Sequence, residues 1–169
     1  TQYNRAMDAL RQVGSTMKPI VFLSALLNGK PEEEDDEHYN PLSTLNDTKF
    51  VHKYEGQRWA PDNYDHKAHG KVPMYFALKN SLNLATAQLG IRIGMENVIE
   101  TAKALGITAA MKPVPALSLG AFEIQPLEML KAYSQLASLG QSTNVSFLDH
   151  IENSEGQIIF TPEIESGEI

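Results

Sequence analysis

The stretch from Arg11 to Gly29, RQVGSTMKPIVFLSALLNG, constrains this chain more than any other part of it. Its second half, Ile20 to Leu27, is apolar on all sides, the pattern of a helix that passes through the middle of a domain. Pro19 falls in the first turn, where its missing N–H costs little, and Asn28-Gly29 supplies a C-terminal stop. At the mouth of the helix a glycine leads into Ser15, and Lys18 follows three residues later. That spacing puts both side chains on one face. Any fold of this chain must therefore wrap a core around one helix and leave a hydroxyl and an amine at its entrance.

Such a pair has a chemical use. A serine hydroxyl is a weak nucleophile at neutral pH until a base stands within hydrogen-bond reach. Lysine can be that base when burial or a second cation penalises its ammonium form. The positive end of the helix also favours an anion forming near Ser15. The same residues read equally as an N-cap serine followed by a solvated lysine, so Ser-x-x-Lys alone does not decide.

Bulk properties exclude several classes. At 169 residues the chain is one domain or a piece of one. Net charge is −7, yet Glu32 to Glu37 is an unbroken acidic run, and outside it the body is close to neutral. Nothing forms a basic footprint for nucleic acid. Cysteine is absent, which removes thiol chemistry and disulfides. The longest apolar run is far below the ~20 residues of a membrane span. There is no signal peptide, and the chain opens with Thr1, so it is expected to be part of something longer.

In order, Thr1 to Leu10 reads as an approach loop with a short helical turn. Residues 30–40 (KPEEEDDEHYN) read as a solvated, exposed acidic loop without the spaced oxygens or glycine of a calcium site. Pro41 to Lys71 is expected to be irregular. Within it, His66 and His69 have a metal-like spacing but no third ligand nearby, and no metal or cofactor is expected. A short helix is expected from Pro73 to Asn80, then a break at Ser81-Leu82-Asn83, where Asn83 can cap a second helix running to Ile93. A third helix, Glu96 to Leu105, stops at Gly106. Met111 to Gln125 reads as a loop. Pro126 opens an amphipathic helix to Leu139, whose Leu127, Met129, Leu130, Tyr133, Leu136 and Ala137 make a wide core stripe. Val145 to Glu152 and Gln157 to Thr161 read as a hairpin within residues 145–161.

Several of these pieces, in this order, resemble the transpeptidase domain of class A penicillin-binding proteins. YNRAMDALRQVGSTMKPIVFLSAL (Tyr3 to Leu26) resembles that family's active-site segment, and WAPDNY (Trp59 to Tyr64) its Trp-x-Pro-x-Asn-Tyr stretch. ALKNSLNLATAQLGIRIGMENVIETAKALGI (Ala77 to Ile107) resembles the segment with its Ser-x-Asn motif, and LSLGAFEIQPLEMLKAYSQLASLG (Leu117 to Gly140) the helix that follows. The match covers almost the whole chain outside the acidic loop. It implies one partial transpeptidase domain over 1–169, mainly α with a small β-hairpin: the helical part of the fold shared with serine β-lactamases, its central sheet largely missing from this chain.

The resemblance also implies roles. Ser15 is the nucleophile that attacks between the two D-alanines of a peptidoglycan stem peptide, and Lys18 takes its proton. Ser81 relays a proton to the leaving D-alanine, and Asn83 holds the substrate amide and orients Lys18. A β-lactam would be trapped as an ester on Ser15. The parent is expected to be a membrane-anchored protein acting at the extracytoplasmic (periplasmic) face of the bacterial cytoplasmic membrane. One departure stands out: no Lys-Thr-Gly or Lys-Ser-Gly triplet occurs in the 169 residues. In the family that strand binds the substrate backbone and supplies an oxyanion-hole N–H. The isolated chain is therefore expected to be a weak or inactive enzyme that self-associates through exposed apolar surface. The alternatives are a non-catalytic or β-lactam-sensing module of the same fold, or a serine β-lactamase or D,D-carboxypeptidase.

Overall fold

The apolar run of the sequence becomes the axis of the structure. The computed structural model describes residues 3–31, 38–143, 145–163 and 166–168. Helix α1 runs from Lys18 to Asn28 and continues a 3-10 turn at Gly14–Met17. Met17, Ile20, Val21 and Ala25 on this segment are fully buried. Removing each large aliphatic side chain from water contributes ~1.5–3 kcal/mol, which fixes the helix in the core. Packed around it are α2 (Met74–Lys79), α3 (Asn83–Ile93) and α4 (Met95–Ala104). They bring in Ala77, Leu84, Leu89, Val98 and Ala102 as buried partners.

The strands are short and pair in twos. β1 (Arg11–Gln12) leads into α1 and pairs antiparallel with β6 (Glu123–Ile124). The segment expected to be irregular instead holds four strands. β2 (Thr44–Asp47) pairs with β5 (Gly70–Pro73), and β3 (His52–Tyr54) pairs with β4 (Gln57–Trp59). The β3–β4 turn is Glu55-Gly56, both at positive φ (46° and 76°), the backbone a two-residue hairpin requires. These strands are mostly polar and half-exposed, so no apolar alternation announces them. Within the expected loop at Met111 to Gln125, Pro115–Leu119 forms a 3-10 helix and β6 follows.

Helix α5 spans Pro126–Ala137, where the sequence places an amphipathic helix, but the expected core stripe is only partly covered: Met129 and Leu136 pack half-buried against the core. Ala132 and Gln135 face inward, while Leu130 and Tyr133 are 49% and 37% exposed. Neighbouring elements cover only one side of the helix. Two open apolar grooves of about 550 and 500 Å³ flank it, one lined by Leu23, Leu27 and Leu136 and the other by Ile124, Met129 and Leu130.

Beyond α5, β7 (Gln141–Thr143) pairs with β10 (Ser166–Glu168), and β8 (Ile151–Glu152) with β9 (Ile158–Phe160). The first strand of this hairpin is shorter than the run from Val145 promised. Its turn is held by Asn153, whose Oδ1 accepts from the N–H groups of Glu155 and Gln157, both at 2.9 Å. The acidic run Glu32 to Glu37 lies outside the described residues. Among the described residues no helix is long and apolar enough to cross a membrane.

Candidate active site

Ser15 is placed by backbone rather than by side chains. The β1–β6 pairing continues as Val13 N–H donating to Phe122 O (3.1 Å) and Gly14 N–H donating to Gly120 O (3.0 Å). Gly14 and Gly120 both have positive φ, 55° and 72°. A Cβ on Gly120 would stand 2.1 Å from Gly14 O and 2.5 Å from its nitrogen. Only glycine lets these two backbones touch. Thr16 is tied on both sides: its Oγ1 donates to Val13 O at 2.6 Å, and the Tyr133 hydroxyl donates to its carbonyl at 3.0 Å. Ser15 itself is exposed, and among the described residues its hydroxyl has no hydrogen-bond partner.

One turn further on, Lys18 is only 1% exposed. Its Nζ donates to Ser81 O (2.6 Å), Ser81 Oγ (2.9 Å) and Asn83 Oδ1 (2.5 Å). The structure thus gathers Lys18, Ser81 and Asn83 around one nitrogen, with Ser15 at the start of the same helical segment. Burial penalises the ammonium and lowers the Lys18 pKa from 10.5 to about 8, against the opposing charge of Asp47. At pH 7 that shift raises the neutral fraction roughly 300-fold.

Ser81 owes its orientation to strain. Its φ is +53°, a left-handed conformation that costs a non-glycine residue ~1–3 kcal/mol. The turn closes α2 and aims both oxygens of Ser81 at Lys18. Glycine there would relieve the backbone but remove the hydroxyl.

Asn83 does not cap α3. It is the first helical residue, and its side chain bridges Lys18 and Asp62, with Nδ2 donating to Asp62 O at 2.8 Å. The orphan N–H groups of α3 are met from elsewhere. Oδ1 of the buried Asn63 accepts from the backbone of Asn83 (2.7 Å) and Leu84 (3.1 Å). Oδ1 of the fully buried Asp47 accepts from Ala85 at 3.0 Å. Asp47 Oδ2 in turn accepts from Asn63 Nδ2 at 2.8 Å, His69 N–H at 2.9 Å and the His69 ring at 2.7 Å through Nδ1. The two histidines with metal-like spacing serve separate carboxylates, His66 on Asp62 (3.0 Å) and His69 on Asp47 and Asp65. Among the described residues no group of three or more His, Asp or Glu is arranged to hold a metal.

A cleft of about 220 Å³ opens beside Ser81, between Tyr64, His69 and Phe76. An exposed hydroxyl, a buried amine poised near neutrality, a second hydroxyl and a fixed carboxamide are the parts needed to accept and pass on an acyl group. Sequence reasoning missed Asp47 and the contact made by Gly120. Asp47 lies in a polar strand and carries no motif; Gly120 sits in a small-residue run whose partner, Gly14, is remote in sequence.

Residues 1–167 match the family model described as the penicillin binding protein transpeptidase domain. Penicillin-binding protein 1B of Vibrio cholerae is 36% identical over 160 residues, covering 94% of this chain and 20% of that protein. Penicillin-binding protein 1A of Aquifex aeolicus is 35% identical over 161 residues, covering 94% and 21%. The crystal structure of penicillin-binding protein 1A from Haemophilus influenzae superimposes with a TM-score of 0.83 at 26% identity, covering 98% of this chain and 24% of that one. The imipenem acyl-enzyme complex of penicillin-binding protein A from M. tuberculosis shares the fold, with a TM-score of 0.78 at 20% identity over 98% of this chain and 41% of that one. The chain spans about a fifth of the length of the curated relatives it matches.

Proposed function

Since the chain belongs to the penicillin-binding protein transpeptidase family, in its class A branch, we propose that it carries the serine acyl-transfer site of a D,D-transpeptidase. In this reading Ser15 Oγ attacks the carbonyl between the two D-alanines of a peptidoglycan stem peptide. The hydroxyl proton passes to Lys18 Nζ as the new C–O bond forms. The peptide C–N bond then breaks, Ser81 delivers its hydroxyl proton to the departing D-alanine nitrogen and takes a replacement from Lys18 Nζ, and an ester remains on Ser15. An amine of a neighbouring stem peptide attacks that ester, makes the cross-link and returns the proton that restores the Ser15 hydroxyl. A β-lactam follows the first half of this course: its ring amide opens, and the ester persists. Such chemistry belongs on the extracytoplasmic face of the bacterial cytoplasmic membrane, where the substrate is.

The observation that carries the reading is the bonding of Lys18 Nζ. A neutral amine has two N–H donors and one lone pair. Ser81 O and Asn83 Oδ1 take the two donors, which turns the lone pair to the third oxygen in reach, the Ser81 hydroxyl at 2.9 Å, through which protons can enter and leave the amine. Lys18 follows Ser15 by one turn of the same helical segment, and a pKa of about 8 suits a general base.

The test is to incubate the full-length protein carrying these residues with a fluorescent penicillin and map the adduct by peptide mass. The ester is expected on the peptide containing Ser15, with labelling abolished in Ser15→Ala. Labelling at another residue, or undiminished labelling of Ser15→Ala, contradicts the reading. No Lys-Thr-Gly or Lys-Ser-Gly triplet is present among the 169 residues. Loss of one oxyanion donor costs ~10²–10³ in rate, so the 169-residue chain by itself is expected to label at least that much more slowly.

A further inference from the structure

Among the described residues the carboxylate of Asp47 is the most buried charged group, followed by Lys18, and the acyl-transfer steps do not use it. It has no solvent exposure and sits at the end of β2, where four donors converge on its two oxygens. A buried carboxylate is costly unless it is fully hydrogen-bonded. Here the satisfied network runs outward to the reactive amine: Asp47 holds Asn63, Asn63 holds the first turn of α3, and Asn83 in that turn accepts from Lys18. His69 closes the other side through two hydrogen bonds to the same oxygen.

Building on the reading of Lys18 as proton acceptor, we propose that Asp47 is a positioning residue for Lys18. Through Asn63 it fixes the carboxamide to which Lys18 donates, and its negative charge, dispersed by His69, governs how readily the amine gives up its proton. Asp47 is the charged group whose field opposes the effect of burial on Lys18. Two further carboxylates flank the network. Asp65 faces the far ring nitrogen of His69 at 3.3 Å, and Asp62 faces His66 at 3.0 Å and Lys49 at 3.7 Å. Asp47 therefore holds Lys18 partly in its ammonium form, and His69 moderates that hold by sharing the carboxylate's charge.

The two partners must then move Lys18 in opposite directions. Asp47→Asn keeps the shape and removes the charge, so the Lys18 titration midpoint moves down. His69→Ala leaves the carboxylate in place with one fewer hydrogen bond, so the midpoint moves up. A purely structural role for both residues would lower the melting temperature and leave the midpoint where it was.

The experiment follows Lys18 by ¹³C NMR in the full-length protein labelled at lysine Cε, assigned with Lys18→Met, and alongside it the pH profile of acylation by a fluorescent penicillin. The expected result is opposite displacement of the midpoint in the two variants, with the acid limb of acylation following it. A slower plateau is expected in Asp47→Asn, by ~10–100-fold, from the loosened carboxamide. Displacement in the same direction, or no displacement, overturns the proposal. Should Asp47→Asn fail to fold, His69→Ala decides alone: an upward midpoint supports the proposal and any other result overturns it. A protein that takes up no penicillin removes the acyl-transfer reading, while the Lys18 midpoints still judge the role of Asp47.

Discussion

Lys18→Met slows acylation of Ser15 by penicillin ~10²–10⁴-fold, the range for removing a positioned general base, and leaves a folded protein. Two effects on stability oppose each other. Without the ammonium, Ser81 O and Asn83 Oδ1 lose the donor seen at 2.6 and 2.5 Å, at ~1–3 kcal/mol for each buried acceptor left unpaired. The same change removes a buried cation whose desolvation already lowers its pKa to about 8, and methionine fills most of the space. Ser81 is exposed at the cleft, so water can reach its oxygens. The rate falls far more than the stability because, in the proposed reaction, Lys18 is the group that takes the Ser15 proton. Stopped-flow labelling and thermal unfolding of the same preparation separate the two quantities. An acylation rate within about threefold of the unaltered protein would remove Lys18 from the mechanism.

Gly120→Ala has the second largest effect, although residue 120 carries no chemistry. A methyl group there meets the backbone oxygen of Gly14 at 2.1 Å, and backbone cannot rotate away as a side chain can. The segment before Ser15 must shift, and the φ of +72° adds left-handed strain. A displacement of about 1 Å at a reacting group costs ~10² in rate, and that loss is expected here. Gly156→Ala is the control. Its φ is +77°, and nothing lies within 4 Å of the added Cβ, so it carries similar backbone strain at a hairpin turn without touching the site. Equal labelling rates in the two variants would show that the Gly14–Gly120 contact does not position Ser15.

How much of this could be read from the sequence depended on the kind of interaction. Helix α1 was legible because an apolar run behind a proline has few other uses. The meeting of Lys18 with Ser81 and Asn83 was implied by family resemblance, not by the residues alone, since 63 and 65 positions separate them from the lysine. In isolation Asn83 read as a helix cap. The structure gives that work to Asn63 and Asp47, which a rule based on neighbouring residues cannot anticipate. The small sheets between Pro41 and Lys71 escaped notice because their strands are polar, and the Glu55-Gly56 turn was the available cue. The stripe on α5 was legible as apolar but not as half-open: periodicity says which side of a helix is apolar, and only the neighbouring elements say that Leu136 is covered and Leu130 is not.

Burial keeps the Lys18 amine ready to receive a proton one helical turn after Ser15, and titration of that amine in the unaltered protein bears on this at once. Below the midpoint the amine is charged and cannot act as a base; above it the lone pair is available, so acylation should rise with pH through the same value. The ¹³Cε titration midpoint of Lys18 is expected at about 8. A midpoint near the ordinary lysine value of 10.5 would mean a solvated ammonium at the mouth of α1 and would contradict it.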